Sequence, residues 1–357
     1  RSWARRIERC CCLGLTYFPL AFVYSLTTWG LWVVLRLGAL PREGRAAWAG
    51  RTTSTLTICL FFLLNISYTV AVFTDPGSTL SSKNGYSHLP THDTQSQITS
   101  LTVKSTGAVR FCKKCQARKP DRAHHCSTCK RCVLKMDHHC PWLATCVGLR
   151  NAKAFLLFLI YTTLYCYTCC AMASAWVWKE MFSEEAYADS LMPINYVMLV
   201  VIAGVIGLVL TGFTGWHISL AWRGMTTIEC LEKTRYFSSV RRTFHQPQHP
   251  SDNYHQHFLG HSQTDSGAVS LHQNYQDLEA ARERDRYEAY LDEQDSERLP
   301  HAFDLGWRRN LQYLFGDSPW LWWLPVCNSR WNGWTWDVSP KWVERREEIR
   351  REREQTR

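Results

Sequence analysis

Over four long stretches this sequence has no charge at all. Residues 10–35, 52–74, 154–178 and 190–222 contain no Asp, Glu, Lys or Arg. Each is long enough for a helix to cross a hydrocarbon core of about 30 Å, which takes about 20 residues. That absence excludes a single soluble core, although 357 residues with 20% charged positions and a mean hydropathy of −0.26 would pass for one on average. The first run is too long for the apolar region of a secretory leader, and three more follow it. No ionisable residue is expected to lie buried in the spans, which removes the mark of a transporter's pathway. The chain opens on Arg1, so its natural start is expected further upstream.

Disulfides are not expected either. Of 16 cysteines, seven fall within residues 112–146 and are interleaved with four histidines, a pattern that favours metal over a secreted scaffold. Most of the others, among them Cys10, Cys11, Cys12, Cys59, Cys166, Cys169 and Cys170, lie in or beside apolar runs, where a reduced thiol behaves as a small hydrophobe.

The fold class implied is an α-helical polytopic membrane protein, with four transmembrane helices and a Cys-rich domain between the second and third. Lys and Arg set its orientation. Residues 75–153 hold 13 Lys/Arg against four Asp, whereas Lys179 faces Glu180, Glu184, Glu185 and Asp189 after the third span. The Cys/His loop and both termini are therefore expected on the cytosolic side. Arg36, Arg42, Arg45 and Arg51 pull weakly the other way. The expected organisation is a cytosolic start at 1–12, spans at 13–37 and 52–74, a cytosolic linker at 75–109, the Cys-rich zinc domain at 110–153, and spans at 154–178 and 194–219. A segment at 220–236 follows, then a polar flexible linker at 237–300, too poor in branched apolar residues to order itself. The segment 301–329 is aromatic and membrane-proximal. The tail, 330–357, ends in an exposed helix of alternating Arg and Glu.

Within 112–146 the spacing reads Cys-x2-Cys, nine residues, His-Cys-x2-Cys-x2-Cys, four residues, Asp-His-His-Cys, five residues, Cys. Thiolate and imidazole are the usual ligands of zinc, and closed structural sites take four. Two tetrahedra use eight of the eleven donors and leave three for other work. Cys140 is the best leftover thiol. It closes Asp137-His138-His139-Cys140, so a carboxylate, an imidazole and a nucleophile stand together. A nucleic-acid-binding finger is excluded, because no helix-forming run between ligands offers the residues that read bases. A scaffold without chemistry is disfavoured by the intact Asp137, His138 and Cys140.

These residues resemble the DHHC protein S-acyltransferases, multispan enzymes that put fatty acyl chains on protein cysteines. The likeness covers residues 110–158 closely. It extends to Asp75-Pro76-Gly77, to Thr226-Thr227-Ile228-Glu229, and to Phe303-Asp304-Leu305-Gly306 through Asn310 and Phe315-Gly316. The blocks LKMDHHCPWLATCVGLRNAKAFLLFLIYTTLYC and CCCLGLTYFPLAFVYSLTTWG look most like the filamentous-fungal branch related to the yeast vacuolar enzyme. The resemblance implies a first zinc on Cys112, Cys115, His125 and Cys132 and a second on Cys126, Cys129, His139 and Cys146. It makes Cys140 the nucleophile, His138 the base and Asp137 its orienting partner. Lys119, Arg122, His124 and Lys135 would meet the coenzyme A head group, and Tyr165 would help close the cavity for the acyl chain. Thr226, Thr227 and Glu229 lie just past the fourth span, where the carboxylate invites a partner on the Cys-rich domain. Asn310 would tie the carboxyl-terminal segment to the membrane helices.

The implied activity is two-step transfer of a long-chain acyl group from palmitoyl-CoA to Cys140 and then to cysteines of cytosolic or membrane-associated proteins. The implied partners are acyl-CoA, cysteine-containing protein substrates and the lipid bilayer, with no nucleic acid. The vacuolar membrane is the favoured location, with Golgi and endoplasmic reticulum as alternatives. Leu143-Ala144-Thr145 departs from the family's common Val-Asn-Asn, and Ala152 stands where an aromatic or polar residue is usual.

Overall fold

The computed structural model describes residues 2–40, 50–79, 110–181, 192–231, 298–327 and 331–355, together with position 48 and scattered positions between 279 and 295. Most of the linkers at 75–109 and 237–300, the acidic positions of 182–191 and the side chains of Cys10, Cys11 and Cys12 lie outside the described residues. The chain divides into two compact units: Arg1–Ser87, Arg122–Ile228 and Leu305–Gly333 form the first, and His88–Asp121, Glu229–Asp304 and Trp334–Arg357 the second.

Among the described residues, four helices of the first unit are long and apolar enough to cross a membrane: α1 (Ser2–Gly38), α2 (Arg51–Phe73), α3 (Ala152–Met181) and α4 (Met192–Trp222). Without charge, these runs have no helix face that seeks water, so mutual packing decides which side chains are covered. α3 lies against both α2 and α4 and is the most buried of the four. Val33, Leu64, Leu157, Tyr165, Met172 and Leu199 form its core. The outward side chains Leu208 and Val209 of α4 are 71% and 66% exposed, as apolar residues facing lipid would be.

α2 stops where Pro76 cannot continue a helix. Gly77 follows at φ +96°, its N–H held by the Asp75 carboxylate at 2.9 Å. The turn then takes hold of the Cys-rich segment. Leu134 N–H donates to the Gly77 carbonyl (3.1 Å) and Arg150 N–H to that of Pro76 (3.3 Å). The approach is close enough that a Cβ on Gly148 would stand 2.9 Å from the Pro76 carbonyl oxygen.

Between α2 and α3 the described residues make three two-stranded hairpins: β1 (Phe111–Cys112) with β2 (Ala117–Arg118), β3 (His124–Cys126) with β4 (Arg131–Val133), and β5 (His138–Cys140) with β6 (Thr145–Val147). They are too short to stand without a further staple. Only the second and third hairpins belong to the first unit; β1 and β2 belong to the second.

After the short helix α5 (Thr227–Leu231) and a segment mostly outside the described residues come α6 (Trp307–Phe315) and α7 (Pro340–Gln355). Asn310 of α6 donates to the Trp222 carbonyl at the end of α4 (2.9 Å) and accepts from Leu305 N–H (3.1 Å), and Trp222 stacks on Trp307. The expected exposed charged tail is corrected in one respect. Within the second unit α7 buries Trp342 and Ile349, each 1% exposed, seven residues apart on one stripe of an otherwise charged helix.

Lys153, at the start of α3, was not singled out by its sequence context. Its ammonium is buried and donates to the carbonyls of Phe315 (3.2 Å), Leu321 (2.7 Å) and Val326 (3.1 Å). Removing a charged donor from three buried acceptors costs more than the desolvation it returns, by about 2 kcal/mol. Lys153→Met is therefore expected to loosen residues 316–327 and raise limited proteolysis there several-fold. An unchanged cleavage pattern would mean that the aromatic contacts suffice.

Candidate functional site

Side chains of a β-strand alternate faces. In β5 this puts His138 and Cys140 on one face and His139 on the other. Pairing with β6 sets His138 opposite Val147, His139 opposite Cys146 and Cys140 opposite Thr145. Two adjacent histidines are thereby given different work by backbone geometry alone.

On one face, His139 Nδ1 lies 3.7 Å from Cys126 Sγ, 3.4 Å from Cys129 Sγ and 3.6 Å from Cys146 Sγ, and the sulfurs of Cys129 and Cys146 are 3.5 Å apart. Four ligands at zinc–sulfur and zinc–nitrogen lengths of about 2.3 and 2.0 Å have tetrahedral edges of roughly 3.5–3.8 Å. Cys126, Cys129, His139 and Cys146 thus fit a closed tetrahedral site for one zinc. Of the other expected set, His125 and Cys132 sit directly across β3 and β4 with Nδ1 and Sγ 3.8 Å apart, the length of one such edge. Within the second unit, Cys115 N–H donates to Cys112 Sγ at 3.4 Å, the usual knuckle of a Cys-x2-Cys ligand pair.

On the other face, His138 Nδ1 is 2.6 Å from Asp137 Oδ2. Its remaining ring nitrogen, Nε2, is left for Cys140, which shares its face of the strand. Burial opposes the imidazolium, but the bond to Asp137 and the neighbouring Cys140 sulfur outweigh it and push the His138 pKa up to about 9. Asp137 is itself fixed from several sides. Its N–H donates to the Val147 carbonyl (2.9 Å), Oδ1 accepts Thr227 N–H (2.8 Å), and the Thr227 hydroxyl donates to its backbone carbonyl. Thr227, past α4, therefore serves the carboxylate beside the imidazole. Glu229 pairs within the second unit with His301, Nε2 to Oε2 at 3.5 Å.

Cys140 is buried among Tyr68, Leu143, Phe155 and Leu159. It precedes a tight turn, Pro141–Leu143, that ends on Ala144 in the left-handed region at φ 52°. Asn enters that region more easily than Ala, which gives the family's usual Asn here a physical reason. Tyr68 of α2 donates to the Trp142 carbonyl (2.8 Å) and packs on Phe158. Asn151 is wholly buried. It donates to the carbonyls of Ala71 (3.0 Å) and Cys146 (2.9 Å) and accepts from Gly148 N–H (2.8 Å). Neither residue was marked by spacing, since each acts through one hydrogen-bonding group in an ordinary-looking run.

The expected head-group residues sit on different elements. Arg122 is buried and donates to the Gly224 carbonyl at 2.7 Å, so part of its fork is already engaged. Lys135, at φ 43°, lines a small cavity with Asp137 and Thr226; His124 sits on β3 opposite Val133. Lys119 lies in the second unit, its N–H on the Arg110 carbonyl. Tyr165, deep in α3, donates to the Thr27 carbonyl of α1 at 2.7 Å, and a Cβ on Gly30 would come within 3.0 Å of its hydroxyl oxygen.

The expectation that the spans hold no buried ionisable side chain is overturned by His217 of α4. It is 7% exposed and its ring lies 5.7 Å from that of His138. A formal charge count passes over it because histidine enters as neutral; a search of the apolar runs for any titratable group would have found it.

The model of the DHHC palmitoyltransferase family matches residues 105–234. A Palmitoyltransferase PFA3 of Gibberella zeae is 52% identical over 382 residues, spanning all of this chain and 69% of the relative. Palmitoyltransferases pfa3 of Emericella nidulans and Aspergillus fumigatus are 51% and 49% identical, each spanning 99% of this chain, and 76% and 75% of their own lengths. With hairpins that present two adjacent histidines to opposite faces, four spanning helices around them and relatives of this identity along its whole length, the chain belongs to the DHHC palmitoyltransferase family.

Proposed function

We propose that the chain is a palmitoyl-CoA:protein-cysteine S-palmitoyltransferase working by a two-step, ping-pong route. The observation that carries this reading is the 2.6 Å bond between Asp137 and His138, with His138 and Cys140 brought to the same face of β5. His138 Nε2 takes the proton of Cys140 Sγ, and Asp137 stabilises the imidazolium that forms. The thiolate attacks the thioester carbonyl of acyl-CoA. The bond between that carbon and the coenzyme A sulfur breaks, and coenzyme A leaves with the proton from His138. In the second step a substrate cysteine gives its proton to His138 and attacks the acyl-enzyme. Cys140 then departs as the thiolate. One thioester replaces another at each stage, so thiolate formation and positioning carry the rate more than driving force does.

Two structural zinc ions are proposed, one on Cys126, Cys129, His139 and Cys146 and one on Cys112, Cys115, His125 and Cys132, the latter from spacing and resemblance. Bound there, zinc supplies rigidity; all its positions are filled by protein ligands. Apolar residues of α2 and α3 beside Cys140 suit an acyl chain, and Tyr165 against α1 suits its far end. The site is placed on the cytosolic face by the charge of its loop, with both termini on that side. The vacuolar membrane is assigned by resemblance to the fungal branch, with Golgi and endoplasmic reticulum as alternatives.

The direct test is to incubate the purified protein with an alkyne-tagged acyl-CoA and locate the label by mass spectrometry, expecting it on Cys140. Label confined to other cysteines would refute the assignment. For the head group we propose Lys119, Arg122, His124 and Lys135. Lys119→Gln with Lys135→Gln is expected to raise the KM for acyl-CoA several-fold, most at low salt where attraction is least screened. Transfer from pre-acylated enzyme should be spared, since coenzyme A has already left. Normal KM with a slowed second step would instead put these lysines against the protein substrate.

A further inference from the structure

A cavity of about 60 Å³ adjoins the Asp137 carboxylate within the first unit, lined among others by Lys135, Asp137, Phe155, His217, Thr226 and Asn310. It has room for roughly two to four waters. His217 is held by ring edges, with Phe213 at 4.5 Å and Phe155 and Trp216 at 5.2 Å. Among the described residues its Nε2 is fully buried and has no hydrogen-bond partner. An aromatic cage of this kind would hold a phenyl ring without leaving a polar atom dry, whereas a buried imidazole nitrogen without a partner is destabilising. The ligand atoms of His217, Asp137 and His138 nevertheless lie within 4.8 Å of one another. Asp137 has acceptor capacity to spare. One oxygen serves Thr227 N–H and the other His138 Nδ1–H, while a carboxylate offers about four lone-pair sites.

We propose that His217 is a positioning residue for the Asp137–His138 pair: water held in this cavity bridges its imidazole to the Asp137 carboxylate, so that His138 stays aimed at Cys140. This rests on the acyl-transfer reading above. Thr227 and His138 pull the carboxylate from the loop and the strand, and the bridge adds a third restraint, from α4. Water bridges two polar groups nearly as well as a direct bond.

The test compares His217→Gln with His217→Met in the purified full-length chain. The two replacements are close in size and flexibility and differ in hydrogen bonding. The readouts are single-turnover acylation of Cys140 by palmitoyl-CoA, the KM for acyl-CoA, metal per chain and the melting midpoint. The Met variant is expected to acylate about tenfold more slowly than the Gln variant, with KM, two zincs per chain and the midpoint retained in both. His217→Phe should be at least as stable as wild type and as slow as Met. Equal rates for Gln and Met would overturn the proposal, because packing alone would then account for the residue. So would a third metal per chain in the wild type that is lost from the variants, which would make the cluster of Asp137, His138 and His217 a cation site. Wild-type protein that forms no acyl-enzyme at Cys140 would refute the underlying reading instead.

Discussion

Cys140→Ser is expected to abolish hydroxylamine-sensitive acyl labelling while the zinc content stays near two per chain. The sulfur faces His138 and is turned away from the ligand set of Cys126, Cys129, His139 and Cys146, so losing it removes a nucleophile and no ligand. A serine hydroxyl beside the same imidazole is far harder to ionise, and acyl transfer should fall by about 10³-fold or more. Zinc would be counted by plasma emission on the same preparation that is assayed for label. Undiminished self-acylation by the serine variant would move the nucleophile elsewhere; loss of metal would place Cys140 among the ligands.

Much of this was legible because it is written in single residue types at fixed spacing. The uncharged runs mark α1 to α4, since a helix in lipid cannot afford exposed charge. The eleven Cys and His donors can be counted against tetrahedra before any coordinates exist. What could not be read is what depends on one hydrogen-bonding group in an ordinary place. Tyr68 looks like any aromatic of a span, yet it holds the turn after Cys140 through the Trp142 carbonyl. Lys153 looks like a boundary charge, yet it is buried on three carbonyls far along the chain. Thr227 could be noticed as part of a motif, but that its N–H and hydroxyl both serve Asp137 is a fact of the turn after α4. The alternation of β5 falls in between. Sequence supplies two adjacent histidines, and only the pairing with β6 says which faces the cysteine cluster and which shares a face with Cys140.

That alternation makes the most discriminating test. His138→Ala and His139→Ala change neighbouring residues of the same type and should fail in unlike ways. His139 is one of four groups at tetrahedral spacing, and a structural zinc contributes folding energy directly. Its alanine variant is expected to lose about one zinc per chain, melt at a lower temperature and lose acyl transfer together. His138 contacts Asp137 and Cys140. Its alanine variant is expected to keep both zincs and its fold while acylation falls by about 10²- to 10⁴-fold, the range for removal of a general base. The loss should be of rate, with the KM for acyl-CoA little changed, because the imidazole acts on Sγ and makes no contact that the acyl chain needs. Metal loss in the His138 variant, or normal zinc in the His139 variant, would reverse the two faces of β5 and with them the assignment of base and ligand.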